Sequence, residues 1–445
     1  MGRVLILVLL LGAMRLIAPL ASVGEGSETL LAFGFLILAA YTVGELAAGL
    51  RVPKIVGYLA AGVLFGPSAL GAVSHESVVA LGAIGQLAIA LIAFLAGAEL
   101  RWHEVRERGV TLLKLTTVEL GLTFAVLTGL VYALHPYIPG LGSGPPAEAL
   151  AFALLFGSIA VVHSPSVTMG MLSETGAAGP VARTTLGVVL VADVVVVLLF
   201  SAAAAVARTL VPLEAAGGGA SVAGLVWEIL GALLVGAALG GGVSLYLRFV
   251  GRELFLFALL AAFLGAEIAR LAHVETLLTL LTAGFVTENL TRHPARDALR
   301  HAMERSAAPV FVVFFALSGA KIDLAAVAGV ILLVLPLVLV RAGSINAGMR
   351  LGARWAGVTG AEARLSWMGL VSQAGVAIGL ASIVADSFPH LGPPLRTLML
   401  GLVAVNETVG PLLFRRALAA GGELQAGEAT GEWESAAERR GVAAH

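Results

Sequence analysis

Residues 94–100 read Phe94-Leu-Ala-Gly-Ala-Glu-Leu100, and residues 316–322 read Ala316-Leu-Ser-Gly-Ala-Lys-Ile322. Their glycines, Gly97 and Gly319, stand 222 positions apart. A second pair, Leu59-Ala-Ala-Gly-Val63 and Leu281-Thr-Ala-Gly-Phe285, puts Gly62 and Gly284 at the same offset. Either pair alone is weak in a chain rich in Ala, Gly and Leu. The shared offset predicts an internal repeat.

Composition says what solvent the repeat meets. Of 445 residues 59% are hydrophobic and only 12% charged, against about 25% charged in ordinary soluble domains. Hydrocarbon must cover most of this chain. The net charge of −1 leaves no electrostatic footprint for nucleic acid. With no cysteine, disulfides and thiolate metal sites are excluded. No HExxH, GxGxxG or phosphate-binding loop is present, nor a GxSxG with triad partners, so neither an enzyme nor a cofactor is expected.

A helix crossing the roughly 30 Å hydrocarbon core needs about 20 apolar residues. Apolar segments occur at 3–22, 29–50, 53–70, 77–99, 109–134, 147–172, 180–208, 221–248, 252–271, 274–290, 303–320, 326–352, 362–387 and 393–419. The expected fold is an all-α polytopic membrane protein of about 13–14 transmembrane helices. If residue 1 is cytoplasmic, 21 of the 27 Lys and Arg collect at the cytoplasmic ends. Four (Arg208, Arg270, Lys321, Arg396) fall on the other side, and Arg15 and Arg341 lie inside apolar segments. The positive-inside rule therefore puts both termini in the cytoplasm of a cell-membrane protein. Segment 3–22 also fits a signal peptide, but Arg15 and Pro19 favour a retained helix. The tail 420–445 is polar, Glu-rich and expected to be disordered.

The 222-residue offset equates repeats 29–208 and 252–419 and leaves helix 221–248 as a linker. One extra crossing between the halves inverts the second. Inverted six-helix repeats give a transporter two related halves for alternating access, with binding at mid-membrane where discontinuous helices cross. Two stretches fit such crossed breaks. One is Gly157-Ser-Ile-Ala-Val-Val-His-Ser-Pro-Ser166, where Pro165 removes a backbone donor; the other is Ser372-Gln-Ala-Gly-Val-Ala-Ile-Gly379.

Charges at membrane depth are costly and tend to mark function. Asp193 is the only charge between Arg183 and Arg208, about 15 Å along the helix from Arg183 at 1.5 Å per residue. Arg341 sits within Leu332–Gly343 and needs a carboxylate or backbone carbonyls. Its repeat mate is Glu119, while Asn406-Glu407 lies opposite Asp193, so Glu119 and Glu407 are read as balancing charges. His163 adjoins the first break and reads either as a packing residue or as a pH-sensitive group near the site.

These residues together resemble the cation:proton antiporter superfamily. The resemblance is carried by Val52-Pro-Lys-Ile-Val-Gly-Tyr-Leu-Ala-Ala-Gly-Val-Leu-Phe-Gly-Pro67, Phe94–Leu100, Ser164-Pro165, Ser318–Asp323, Gly369–Gly379 and Glu407–Pro411. It covers about 29–419 and is nearest to the bacterial branch of the sodium/hydrogen exchanger family. It implies a thirteen-helix core, a homodimer, and Asp193 as the residue that binds the transported cation transiently. It further implies Arg341 as the basic residue of the partner helix. Ser164, Pro165, Ser166 and Thr168 would lie in one unwound segment, with Ser372, Gln373 and Gly375 in the other. Ala192 departs from the Asp, Asn or Gln usual before the aspartate, which bears on ion choice and stoichiometry.

The expected mechanism has Asp193 alternate between a proton and a partly dehydrated Na+ or K+. With one titrating carboxylate, exchange should be electroneutral. Two other readings fit the same spans: a sodium-coupled symporter of an organic anion, and a membrane sensor or scaffold that does not transport.

Overall fold

The computed structural model describes residues 6–7, 9–15, 27–98, 102–139, 141, 144–211 and 222–424. Those of the first predicted segment, 6–7 and 9–15, are helical, and the tail beyond Leu424 lies outside the described residues. Among the described residues every regular element is helical. Among the described residues eight helical spans are long and apolar enough to cross a bilayer, counting the interrupted stretch 146–175 as one, with four shorter apolar helices beside them.

The chain runs α1 (Ser27–Gly49), α2 (Lys54–Phe65), α3 (His75–Ala80), α4 (Gly82–Ala98), α5 (Trp102–Leu134), α6 (Pro146–Ala160), α7 (Pro165–Thr175) and α8 (Pro180–Leu210). It continues α9 (Val222–Phe249), α10 (Leu254–Leu271), α11 (Thr276–Leu290), α12 (His293–Ala320), α13 (Leu324–Ala356), α14 (Gly360–Leu365), α15 (Gly375–Ser387) and α16 (Gly392–Ala420). Each apolar segment from 29–50 onward carries helix. Two of them, 147–172 and 362–387, are broken in the middle, between α6 and α7 and before α15.

The repeat glycines explain how the helices meet. A Cβ on Gly62 would fall 2.1 Å from the Ala316 carbonyl oxygen, and one on Gly319 2.1 Å from that of Leu59. Likewise Gly97 would strike Leu281 O at 1.9 Å and Gly284 would strike Phe94 O at 2.0 Å. Backbones so close admit only glycine, as in small-residue helix contacts within membranes. The pairing is reciprocal. Helix α2 crosses α12, and its repeat mate α11 crosses α4, the mate of α12. A two-fold inversion of the halves relates the two crossings.

Packing sorts the helices into two bundles. One holds α1, α2, α4 and α9–α12; the other holds α5–α8 and α13–α16. Helix α13 shows how lipid and core divide a helix: Leu332, Leu335 and Leu339 are exposed, whereas Val334, Leu337, Val338, Arg341 and Ile345 are buried. Over this stretch the apolar stripe faces outward and Arg341 inward, the reverse of a soluble helix.

Candidate functional site: the crossed helix breaks and the Asp193 cavity

Helix α6 ends at Ala160 and α7 begins at Pro165. Proline suits that first turn, where its missing N–H costs nothing. Ser164 caps α7, accepting from Val167 N–H at 3.1 Å, and Thr168 Oγ1 donates to Ser164 O at 3.0 Å. The second break runs through 371–374, between a 3-10 turn at Ser366–Leu370 and α15. Each break leaves carbonyls without their helical donors.

Arg341 occupies that gap. Its Nε donates to Ala160 O at 2.6 Å, one terminal nitrogen to Val371 O at 2.6 Å and the other to Val162 O at 2.8 Å. One planar fork thus joins both breaks, a geometry a lysine ammonium does not reproduce. The groups it touches are the C-terminal, negative ends of half-helices, where a cation is favoured. Gln373 Nε2 also reaches Ala160 O at 3.0 Å, and Asn406 Nδ2 donates to Gln373 Oε1 at 2.8 Å.

Glu119 does not meet Arg341 by a hydrogen bond. Its Oε2 pairs with His163 Nε2 at 3.0 Å, and Thr123 Oγ1 donates to its Oε1 at 3.0 Å. His163 Nδ1 lies 2.7 Å from Leu370 O, so this buried ring ties the first break to the second. Glu407 is buried on α16, its Oε1 without a hydrogen-bond partner among the described residues.

Asp193 is held apart from that network. It is partly buried on α8 and lines a cavity of about 410 Å³ between the two bundles. His163, Ser164, Pro165 and Ser166 line the same cavity, as does Ala374, which precedes α15. The positive, N-terminal ends of α7 and α15 therefore border the space that holds Asp193, while Arg341 covers the opposite ends. Arg208, Glu228 and Glu275 line the cavity as well. Thr168, Ser372, Gln373 and Gly375 are not in its lining.

Three acidic residues at helix ends escaped the sequence reading. Glu275 caps α11, accepting from Leu278 N–H. Glu174 on α7 accepts from Lys54 N–H at 2.7 Å and from Ile55 N–H at 3.4 Å, so one bundle caps a helix of the other. Glu423 accepts from Val181 and Ala182 N–H at 2.6 and 2.9 Å, at the start of the Asp193 helix. Acidic caps are common, and only the fold says which helix each one serves.

Two bundles, crossed broken helices, a buried arginine and a partly buried aspartate in a cavity define a multi-pass membrane protein fold. Residues 9–420 match the family described as sodium/hydrogen exchanger, transmembrane, and the chain belongs to that family. A Na(+)/H(+) antiporter, NhaS5 of Synechocystis sp., is 26% identical over 417 residues, covering 87% of this chain and 54% of its own length. The iron transporter MagA of Paramagnetospirillum magneticum is 32% identical over 160 residues, 35% of this chain and 33% of that protein. The chain thus spans a third to about half the length of these curated relatives. Two structures of the sodium proton antiporter MjNhaP1 of Methanocaldococcus jannaschii share the fold. One gives a TM-score of 0.68 at 15% identity, covering 90% of this chain and 98% of the other. The second gives 0.69 at 17%, covering 88% and 97%.

Proposed function

We propose that this chain exchanges a monovalent cation, Na+ or K+, for H+ by alternating access, with Asp193 as the shared binding group. The observation that carries this reading is the place of Asp193: a carboxylate with no hydrogen-bond donor among the described residues, in a cavity between two bundles, beside the N-terminal ends of both broken helices. A bare carboxylate is costly where water is scarce. Proton or cation neutralises it, and hydroxyls and carbonyls of the breaks replace part of the cation's water shell. The loaded, neutral site crosses; the empty, charged one resists crossing. With Asp193 taken as the only carboxylate that exchanges ligands and an arginine that keeps its proton, one proton exchanges per cation and turnover carries no net charge.

The orientation expected from Lys and Arg places the Arg208 end of the cavity outside. The cytoplasmic side is then the one where Glu174 joins α7 to α2. Alternating access would part that contact and close the Glu275 side. A homodimer in the cell membrane is proposed with it, on the family resemblance.

The test is dye-reported proton flux in everted vesicles from an antiporter-deficient host, with Na+, K+ or Li+ added in turn. Cation-evoked dequenching that disappears in Asp193→Asn supports the reading and names the ion. Full activity in Asp193→Asn, or silence of the expressed wild type from about pH 6 to 9 where such exchange operates, overturns it. Turnover driven by membrane potential in liposomes would refute the electroneutral stoichiometry alone.

A further inference from the structure

The exchange reading leaves a second buried carboxylate without a task. Glu407 is 3% exposed, Asn406 is fully buried and Ser372 is 1% exposed. Glu407 Oε1, Asn406 Oδ1 and Ser372 Oγ all lack a hydrogen-bond partner among the described residues. Buried polar atoms are almost always paired, so three orphan oxygens on adjoining residues call for an occupant.

Helical spacing brings them to one point. Ser372 lies against Gly410, where a Cβ would fall 2.0 Å from its Oγ. At about 100° per residue, Gly410 projects between Asn406 and Glu407 on the face of α16. Ser372 therefore stands between those two side chains. The neighbouring Gln373 Oε1 takes Asn406 Nδ2, and Asn406 Oδ1 is left without a partner among the described residues. Pro411 adds a fourth oxygen. It lies inside α16 and has no N–H, so the Glu407 backbone carbonyl loses its helical donor one turn on.

We propose that Glu407, Asn406 and Ser372 form a second monovalent-cation site, separate from the Asp193 cavity. A carboxylate, an amide oxygen, a hydroxyl and a freed carbonyl are the oxygen ligands that hard monovalent ions take where helices are interrupted. None of the three residues lines the Asp193 cavity. Glu407 lies eight residues before Arg415, about 12 Å along the helix, toward the end of α16 that carries Arg415 and Arg416. The cation neutralises a buried charge and pins α16 to the second break. It is a resident ion, so the site neither depends on the exchange reading nor alters its stoichiometry.

The experiment counts radioactive sodium bound to purified, monodisperse protein in detergent, with potassium as competitor. Asp193→Asn should retain about one ion per chain, and Asp193→Asn with Glu407→Gln should retain none. Ser372→Ala in the Asp193→Asn background removes a single neutral ligand from a small side chain and should weaken binding roughly tenfold. No bound ion in Asp193→Asn overturns the proposal and means that Glu407 is neutralised by a proton. An unchanged affinity with Ser372→Ala, or an unchanged count with Glu407→Gln, overturns it as well. The exchange reading fails by a different result, the vesicle flux, and the binding count in Asp193→Asn is independent of it.

Discussion

Replacing Arg341 tests the claim that one guanidinium holds both helix breaks. In Arg341→Leu the Ala160 carbonyl keeps the Gln373 amide at 3.0 Å, but Val162 O and Val371 O lose their guanidinium donors at 2.8 and 2.6 Å. Each buried carbonyl left unpaired costs about 1–3 kcal/mol, so the variant should lose about 2–6 kcal/mol. Loss of a cation between two half-helix ends adds to this. Unfolding in mixed micelles, followed by helical circular dichroism against SDS mole fraction, measures the difference. Arg341→Lys should fall between, because one ammonium cannot serve both breaks. Arg341→Leu combined with Gln373→Ala should lose more than the two singles together, since only the double variant leaves Ala160 O bare. A loss below about 1 kcal/mol for Arg341→Leu would refute the bridging role, being less than one orphaned carbonyl.

Other expectations follow from particular contacts. Asp193→Asn should abolish exchange yet stay within about 0.5 kcal/mol of wild-type stability, as expected for a residue whose loss breaks no structural bond; the same unfolding titration checks it. Gly284→Ala and Gly319→Ala should each lose about 1–3 kcal/mol by overpacking, whereas Gly343→Ala, which meets nothing within 4 Å, should be neutral or gain stability. The chain has no cysteine, so Ser166→Cys gives a background-free reporter in the cavity. Thiol reagents should reach it from the outer side, and adding Glu174→Gln, which weakens a cap worth about 1 kcal/mol, should raise its labelling from the cytoplasmic side. Unchanged sidedness would show that Glu174 does not hold that side shut.

The span pattern was legible because lipid demands long apolar runs, and the inverted repeat because backbone contact demands glycine at four fixed places. Asp193 stood out as a lone charge in a run of Val and Leu. The breaks were marked by Pro165 and by the polar, Gly-rich stretch from Ser372. What Arg341 binds was less legible. Carboxylates at 119 and 407 looked like its natural partners, yet its hydrogen bonds go to carbonyls, which every residue has and no sequence pattern distinguishes. Glu119 instead meets His163 from a helix 44 residues away, a distance no local periodicity spans. Glu174, Glu275 and Glu423 were hidden for a simpler reason, that acidic residues at helix ends are ordinary.

The reciprocal glycine crossings also set an order of events during synthesis. Gly97 finds its partner helix 187 residues later, at Gly284, and Gly62 waits 257 residues for Gly319. At about 5–20 residues per second, the first half sits in the membrane for roughly 10–50 s with its two small-residue faces uncovered. Neither half can complete its own bundle, because each crossing takes one helix from each. A gene divided between residues 211 and 222 should therefore yield a stable protein only when both pieces are made together, and the first piece made alone should be cleared by quality-control proteolysis.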